Sequence, residues 1–200
     1  MGPPLNLGSY MRSIGRFSAF CALMAAAALA GCGDPLSLLP AQIENREDTV
    51  TVWAATNTAI NLPSGYNILG RQRVRLDQVS TFDFIYDVDP AGRTILLPLG
   101  AVVNTGTSGG IPGFQETPTP FDQITIAQQL GYVTKDTVPT GVGKVYYVRA
   151  IQDGSCSLGV PYYAKMEVLS IDAPTRSMTF RIVTDINCGY RGLELGIPKK

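Results

Sequence analysis

The chain has 200 residues, with 16 basic and 16 acidic side chains, four cysteines and no histidine. So even a charge balance gives no electrostatic footprint for nucleic acid, which needs a basic patch. The lack of histidine removes the commonest acid–base group and the commonest metal ligand, and so excludes histidine triads and histidine zinc sites.

The first element in chain order is a leader. Met11 to Arg16 form a short basic lead, and Ala19 to Ala30 is an apolar run of twelve residues. A membrane-crossing helix needs about 20 apolar residues. The run is too short for that and reads as the core of a secretory signal peptide. Residues 1–10 add nothing to this design and read as a mis-called extension ahead of a start at Met11. The run ends at Leu29-Ala30-Gly31-Cys32, which resembles a bacterial lipobox. The resemblance implies cleavage after residue 31 and a diacylglycerol on the thiol of Cys32. Each buried acyl CH₂ contributes about 0.8 kcal/mol, and stable anchoring takes two chains or more. Gly33 stands where an aspartate would resemble an inner-membrane retention signal. The expected location is therefore the bacterial cell envelope, at the outer membrane, with the membrane as partner through the lipid. Loss of Arg12 and Arg16 with the leader leaves 14 basic against 16 acidic side chains, a balance of −2.

Residues 32–48 read as the lipidated cysteine and a tether, since Pro35 and Pro40 break regular structure. Residues 49–200 read as one β domain. Alternation of apolar and polar residues runs through "TVTVWA" from Thr49, "RQRVRL" (71–76), "TFDFIYDV" (81–88), "KVYYVRAI" (144–151), "YYAKMEVLSI" (162–171) and "SMTFRIVTDI" (177–186). Such alternation with aromatic and β-branched enrichment predicts half-buried antiparallel strands. The expected fold is mainly β, an antiparallel, sandwich-like domain. Asp89-Pro90-Ala91-Gly92 fits a type I turn, and Asp172-Ala173-Pro174-Thr175 a second reversal. Residues 119–131 compete as a short helix, with Thr119 as N-cap, Pro120 at the first position and Gly131 as the stop. The β-branched Ile-Thr-Ile at 124–126 counts against it. Residues 104–120 read as a long Gly- and Pro-rich loop, of the kind that is usually functional or disordered.

Few residues ask for chemistry. "DVDPAG" at 87–92 starts like a calcium loop, but Ala91 and Pro98 fall where oxygen donors are needed. Arg71, Arg73 and Arg75 share one strand face and could bind an anion, but read rather as cross-strand partners of Asp83 and Asp87, at roughly 0.2–1 kcal/mol a pair. Asp83, Asp87 and Asp89 are the only dense carboxylate cluster, and they point along one strand into a turn rather than across a cleft. No enzyme is expected. Cys21 leaves with the leader, so Cys156 and Cys188 remain for an oxidising compartment, where disulfides persist. If 162–171 and 177–186 pair around the second reversal, these two cysteines flank the open end of one hairpin and are expected to bridge.

"STFDFIYD" (80–87), "SGGIPGF" (108–114), "PFDQITIAQQLGYVTKDT" (120–137), "GKVYYVRAIQDG" (143–154), "YYAKMEVLSID" (162–172) and "SMTFRI" (177–182) occur in an order that resembles the HmuY-like family. The resemblance implies a lipid-anchored, mainly β-sheet protein in a family named for haem-capturing members. Those members resemble each other in holding iron with two histidines or two methionines. This chain has no histidine, and Met166 and Met178 lie on the apolar faces of their strands, which is the pattern of core residues. No haem ligand carries across, and no cofactor is expected. The reading is a surface-binding or ligand-binding lipoprotein of unknown ligand or protein partner. Tyr146, Tyr147, Tyr162, Tyr163 and the 104–120 loop are its expected contact surface. The rivals are a structural or assembly lipoprotein without a small ligand, haem capture, and a hydrolase of carboxylate type.

Overall fold

The structure, a computed structural model, describes residues 40–103, 111–150, 156 and 160–198. The expected signal peptide and Cys32 lie outside the described residues. Among the described residues ten strands form two antiparallel five-stranded sheets. The first contains, in spatial order, β1 (Arg46–Trp53), β10 (Ser177–Asp185), β9 (Tyr163–Asp172), β8 (Val145–Arg149) and β6 (Gly113–Thr117). The second contains β3 (Gln72–Val74), β2 (Gly65–Asn67), β4 (Phe84–Val88), β5 (Thr94–Pro98) and β7 (Val138–Pro139). One helical turn, α1 (Leu99–Val102), follows β5 directly. The expected mainly β, sandwich-like fold is therefore present.

The core lies between the sheets because one face of each alternating strand turns inward. Val50 and Val52 from β1, Met178, Phe180 and Ile182 from β10, and Ala164, Met166 and Val168 from β9 meet Tyr66, Phe84, Tyr86 and Leu96 from the second sheet. Phe180 and Tyr66 pack edge to face at 5.6 Å, as do Phe84 and Phe114 at 5.0 Å. Aromatic pairs at such spacings contribute about 0.5–1.5 kcal/mol beyond their buried area. Met166 and Met178 are both wholly buried in this layer.

The turns follow their residues. Gly92 donates its N–H to the Asp89 carbonyl at 2.9 Å and has φ of 80°, so Asp89-Pro90-Ala91-Gly92 makes the tight reversal between β4 and β5. In the β9–β10 hairpin the turn bond runs from Arg176 N–H to the Ala173 carbonyl at 3.2 Å, one residue later than the sequence indicates. The hairpin pairs Ser177 with Asp172 and Asp185 with Tyr163. Its open end is closed by the Cys156–Cys188 disulfide, with Cα atoms 5.5 Å apart. That is the bridge expected from the sequence, in the expected hairpin but with the turn moved by one residue.

Three expectations are corrected. Among the described residues regular structure starts at Arg46, ahead of Thr49, and Gln42 and Ile43 before it are held down. The Asn187 side-chain oxygen accepts from the backbone N–H of Gln42 and Ile43, at 2.9 and 3.0 Å. No helix spans 119–131. Only a 3-10 turn forms, at Phe121–Gln123, and then the chain extends, with Leu193 N–H bonded to the Thr125 carbonyl and Ala127 N–H to the Arg191 carbonyl. The β-branched residues favour that extended course. The stretch read as one long loop at 104–120 contains the edge strand β6, which pairs with β8 from Gly113↔Arg149 to Thr117↔Val145. Residues 104–110 lie outside the described residues.

Candidate functional site

The four tyrosines expected at the surface are all buried. β8 and β9 are inner strands of the first sheet, and both of its faces are covered. Tyr146 and Tyr162 sit between the sheets, while Tyr147 and Tyr163 lie beneath Phe121, Ile124, Ala127 and Leu193 on the outer face. Tyr146 donates its hydroxyl to the Pro139 carbonyl at 3.0 Å, and burial pushes its phenol up to about 12. Alternation cannot distinguish a half-buried strand from one with aromatic residues covered on both faces.

The arginine stripe also behaves differently from expectation. β3 spans Gln72–Val74 only, and Arg71 sits in the β2–β3 turn at φ of 49°. Its Nη2 donates to the carbonyls of Glu44 at 2.9 Å and Thr184 at 3.1 Å. Arg73 reaches the Thr51 carbonyl on β1 at 3.4 Å. Arg75 closes locally on Asp77 at 2.7 Å. The expected partners are engaged elsewhere. Asp83 accepts the Ile68 N–H at 2.6 Å, and Asp87 accepts from Thr56 N–H at 3.1 Å and the Thr56 hydroxyl at 2.8 Å. Arg73 thus ties β3 to the edge strand β1, while Arg71 reaches a carbonyl just ahead of β1 and one on its neighbour β10.

Between these two edges lies a cleft of about 540 Å³, lined by Asp48, Thr49, Thr51, Tyr66, Arg71 and Arg73 among others. β1 delivers Asp48, the short strand β2 delivers Tyr66, and the turn delivers Arg71. Three of their atoms, Asp48 Oδ2, the Tyr66 hydroxyl and Arg71 Nε, are buried and have no hydrogen-bond partner among the described residues. The Arg46 guanidinium reaches Asp48 Oδ2 only at 4.0 Å. Burial, then the Asp48 carboxylate, push the Tyr66 phenol well above its usual range, so Tyr66 stays an O–H donor. Burial and Arg46 lower Arg71, but a guanidinium stays protonated. The wall of the cleft therefore holds two donors, one cationic, and one carboxylate acceptor, each lying behind the surface that faces solvent. Ligand pockets occupy roughly 300–1,000 Å³, and this one is predominantly polar. The orphaned atoms had no sequence signal, because they depend on which sheet edges meet.

A second cleft, of about 660 Å³, is lined by Asp87, Asp89 and Arg176 among others. Its carboxylates are already engaged. Asp89 Oδ1 accepts the Ala91 and Arg93 N–H groups, and its Oδ2 meets Arg93 Nε at 2.7 Å. The Arg93 backbone N–H is the main influence holding Asp89 below the usual carboxylate range. Asp83 does not line this cleft and is wholly buried. Among the described residues no three histidine, cysteine, aspartate or glutamate side chains group to hold a metal ion. No family model, curated protein or solved structure matches the chain.

Proposed function

We propose that the chain is a lipid-anchored binding module of the bacterial cell envelope, held at the outer membrane through Cys32, and that it is not an enzyme. Its ligand is a small zwitterion taken into the cleft between β1 and the β2–β3 hairpin. The observation that carries this reading is the trio of buried polar atoms on Asp48, Tyr66 and Arg71 that have no hydrogen-bond partner among the described residues. Each unsatisfied buried group costs about 1–3 kcal/mol, and a ligand offering complementary groups recovers that cost. A carboxylate matches the Arg71 Nε–H and the Tyr66 hydroxyl, and an ammonium group matches Asp48, once these side chains turn into the cleft they line. The lipobox supports the anchor, and the resemblance to HmuY-like proteins supports a binding role at the surface. Haem is not the ligand in this reading: the chain has no histidine, and Met166 and Met178 fill the core.

Isothermal titration of the mature lipoprotein in detergent with free α-amino acids and dipeptides tests the reading. At least one member of the panel binds one to one. Arg71→Gln and Tyr66→Phe each weaken it, the former by about tenfold or more, since a hydrogen bond to a charged group contributes about 1.5–3 kcal/mol. Silence across the panel, or binding indifferent to both substitutions, overturns it. So does stoichiometric binding of haemin in place of the zwitterions.

A further inference from the structure

Three aliphatic side chains stand in solvent together: Ile126 is 49% exposed, Leu195 65% and Ile197 49%. With Pro198 they line one shallow cleft of about 350 Å³. The arrangement is built rather than incidental. Ile126 forms a β-bridge with Gly192, and Asn45 exchanges both backbone hydrogen bonds with Gly196, at 2.8 and 3.0 Å. The Asn45 side chain further donates to the carbonyls of Gly192 at 2.7 Å and Glu194 at 3.0 Å. The patch is therefore fastened to the segment by which the chain enters the domain. Apolar groups clustered in solvent mark a surface for protein or lipid.

We infer that this patch, Ile126, Leu195 and Ile197, docks into the lipid bilayer that anchors Cys32. The inference rests on the lipid-anchor reading and adds an orientation to it. Cys32 and Pro40 are eight residues apart, and eight residues span at most about 29 Å. Pro40 in turn is five residues from Asn45, which is hydrogen-bonded between Leu195 and Ile197. The acyl anchor thus tethers Pro40, at this end of the sandwich, within about 29 Å of the membrane, and the aliphatic side chains face out at the same end. Charged neighbours in sequence are of mixed sign, Glu44, Arg46, Glu194, Lys199 and Lys200, so insertion is driven by the apolar groups. The opposite end is the β9–β10 turn, one nine-residue strand away, about 30 Å at the usual rise.

The test places a cysteine at Leu195→Cys, or at Ala173→Cys in the β9–β10 turn, of the lipidated full chain. With Cys32 acylated and Cys156 bonded to Cys188, the new thiol is the only free one. Each protein is labelled with an environment-sensitive fluorophore and reconstituted in phosphatidylcholine vesicles carrying a nitroxide lipid. The label at 195 is expected to shift to the blue and to be quenched several-fold more than the label at 173. Equal quenching at the two positions overturns docking while leaving the anchor intact. A blue shift at 195 without nitroxide quenching also overturns it, since the patch is then covered by a second protein copy. Two labels per chain would mean that Cys32 carries no lipid, and the anchor falls together with the docking.

Discussion

Arg71 and Arg176 occupy the same kind of place, the last turn residue before a strand, at φ of 49° and 51°. A left-handed backbone costs a non-glycine residue about 1–3 kcal/mol and persists only where the surroundings hold it. Here the side chains do the holding: Arg71 donates to the Glu44 and Thr184 carbonyls, and Arg176 to those of Thr56 and Val88. Asp185, near the same end of the sandwich as Arg71, makes a different compromise. It is wholly buried, Oδ1 accepts from the backbone and side chain of Asn187, and Oδ2 has no hydrogen-bond partner among the described residues. Burial raises its carboxyl above the ordinary value, against the lowering effect of Asn187. A raised carboxyl contributes stability that is present below its unfolded value, near pH 4, and lost as pH rises through the folded value. Asp185→Asn keeps an oxygen for Asn187 and removes the titration. The melting temperature of the variant minus that of the wild type should therefore grow from acid to neutral pH and then level off. A difference that is flat, or that falls with pH, would show that the buried carboxyl is not the source.

At the scale of elements, the β9–β10 hairpin and its disulfide form the best-anchored unit. The bridge spans 32 residues, and in the chain-entropy account a loop of that size contributes about 3–4 kcal/mol by restricting the unfolded state. Reduction, or Cys156→Ser with Cys188→Ser, should lower the melting temperature by roughly 10 °C for a domain of this size. A change of a degree or less would contradict this share of the stability, and two free thiols in the oxidised protein would contradict the bridge. This hairpin was legible because several signals agreed: alternation in both strands, a proline turn, and cysteines flanking both ends. The strap over the outer face was not. Residues 119–131 carry helix-start signals, yet Phe121 packs against two cations, Lys165 at 4.7 Å and Arg181 at 4.1 Å from its ring. Lys165 also donates to the Ile124 carbonyl at 2.8 Å. Contacts from β9 and β10 thus decide the path of a segment some forty or more residues earlier, and local propensity does not register them. β6 was hidden for a similar reason, since "GFQET" has little β-branched character and gains its strand from pairing with β8.

For the whole molecule, two sheets sealed by an aromatic core leave their edges as the places where polar chemistry is free to sit. The sequence showed the arginine stripe but attached it to Asp83 and Asp87, because acids on the next strand are the obvious partners. Tyr66 drew no attention, lying in a three-residue strand with no alternation to read. Only the meeting of the β1 edge with the β2–β3 hairpin brings Asp48, Tyr66 and Arg71 into one cleft. The central claim is that this cleft keeps polar atoms unsatisfied for a ligand. The most direct test is the unfolding free energy of Tyr66→Phe against wild type, in urea and without ligand. Removing a buried hydroxyl that has no partner leaves the fold as stable or more stable, and that is the predicted result. A loss of about 1 kcal/mol or more, the usual worth of a made hydrogen bond, would show that the fold already satisfies the Tyr66 hydroxyl and would contradict the claim.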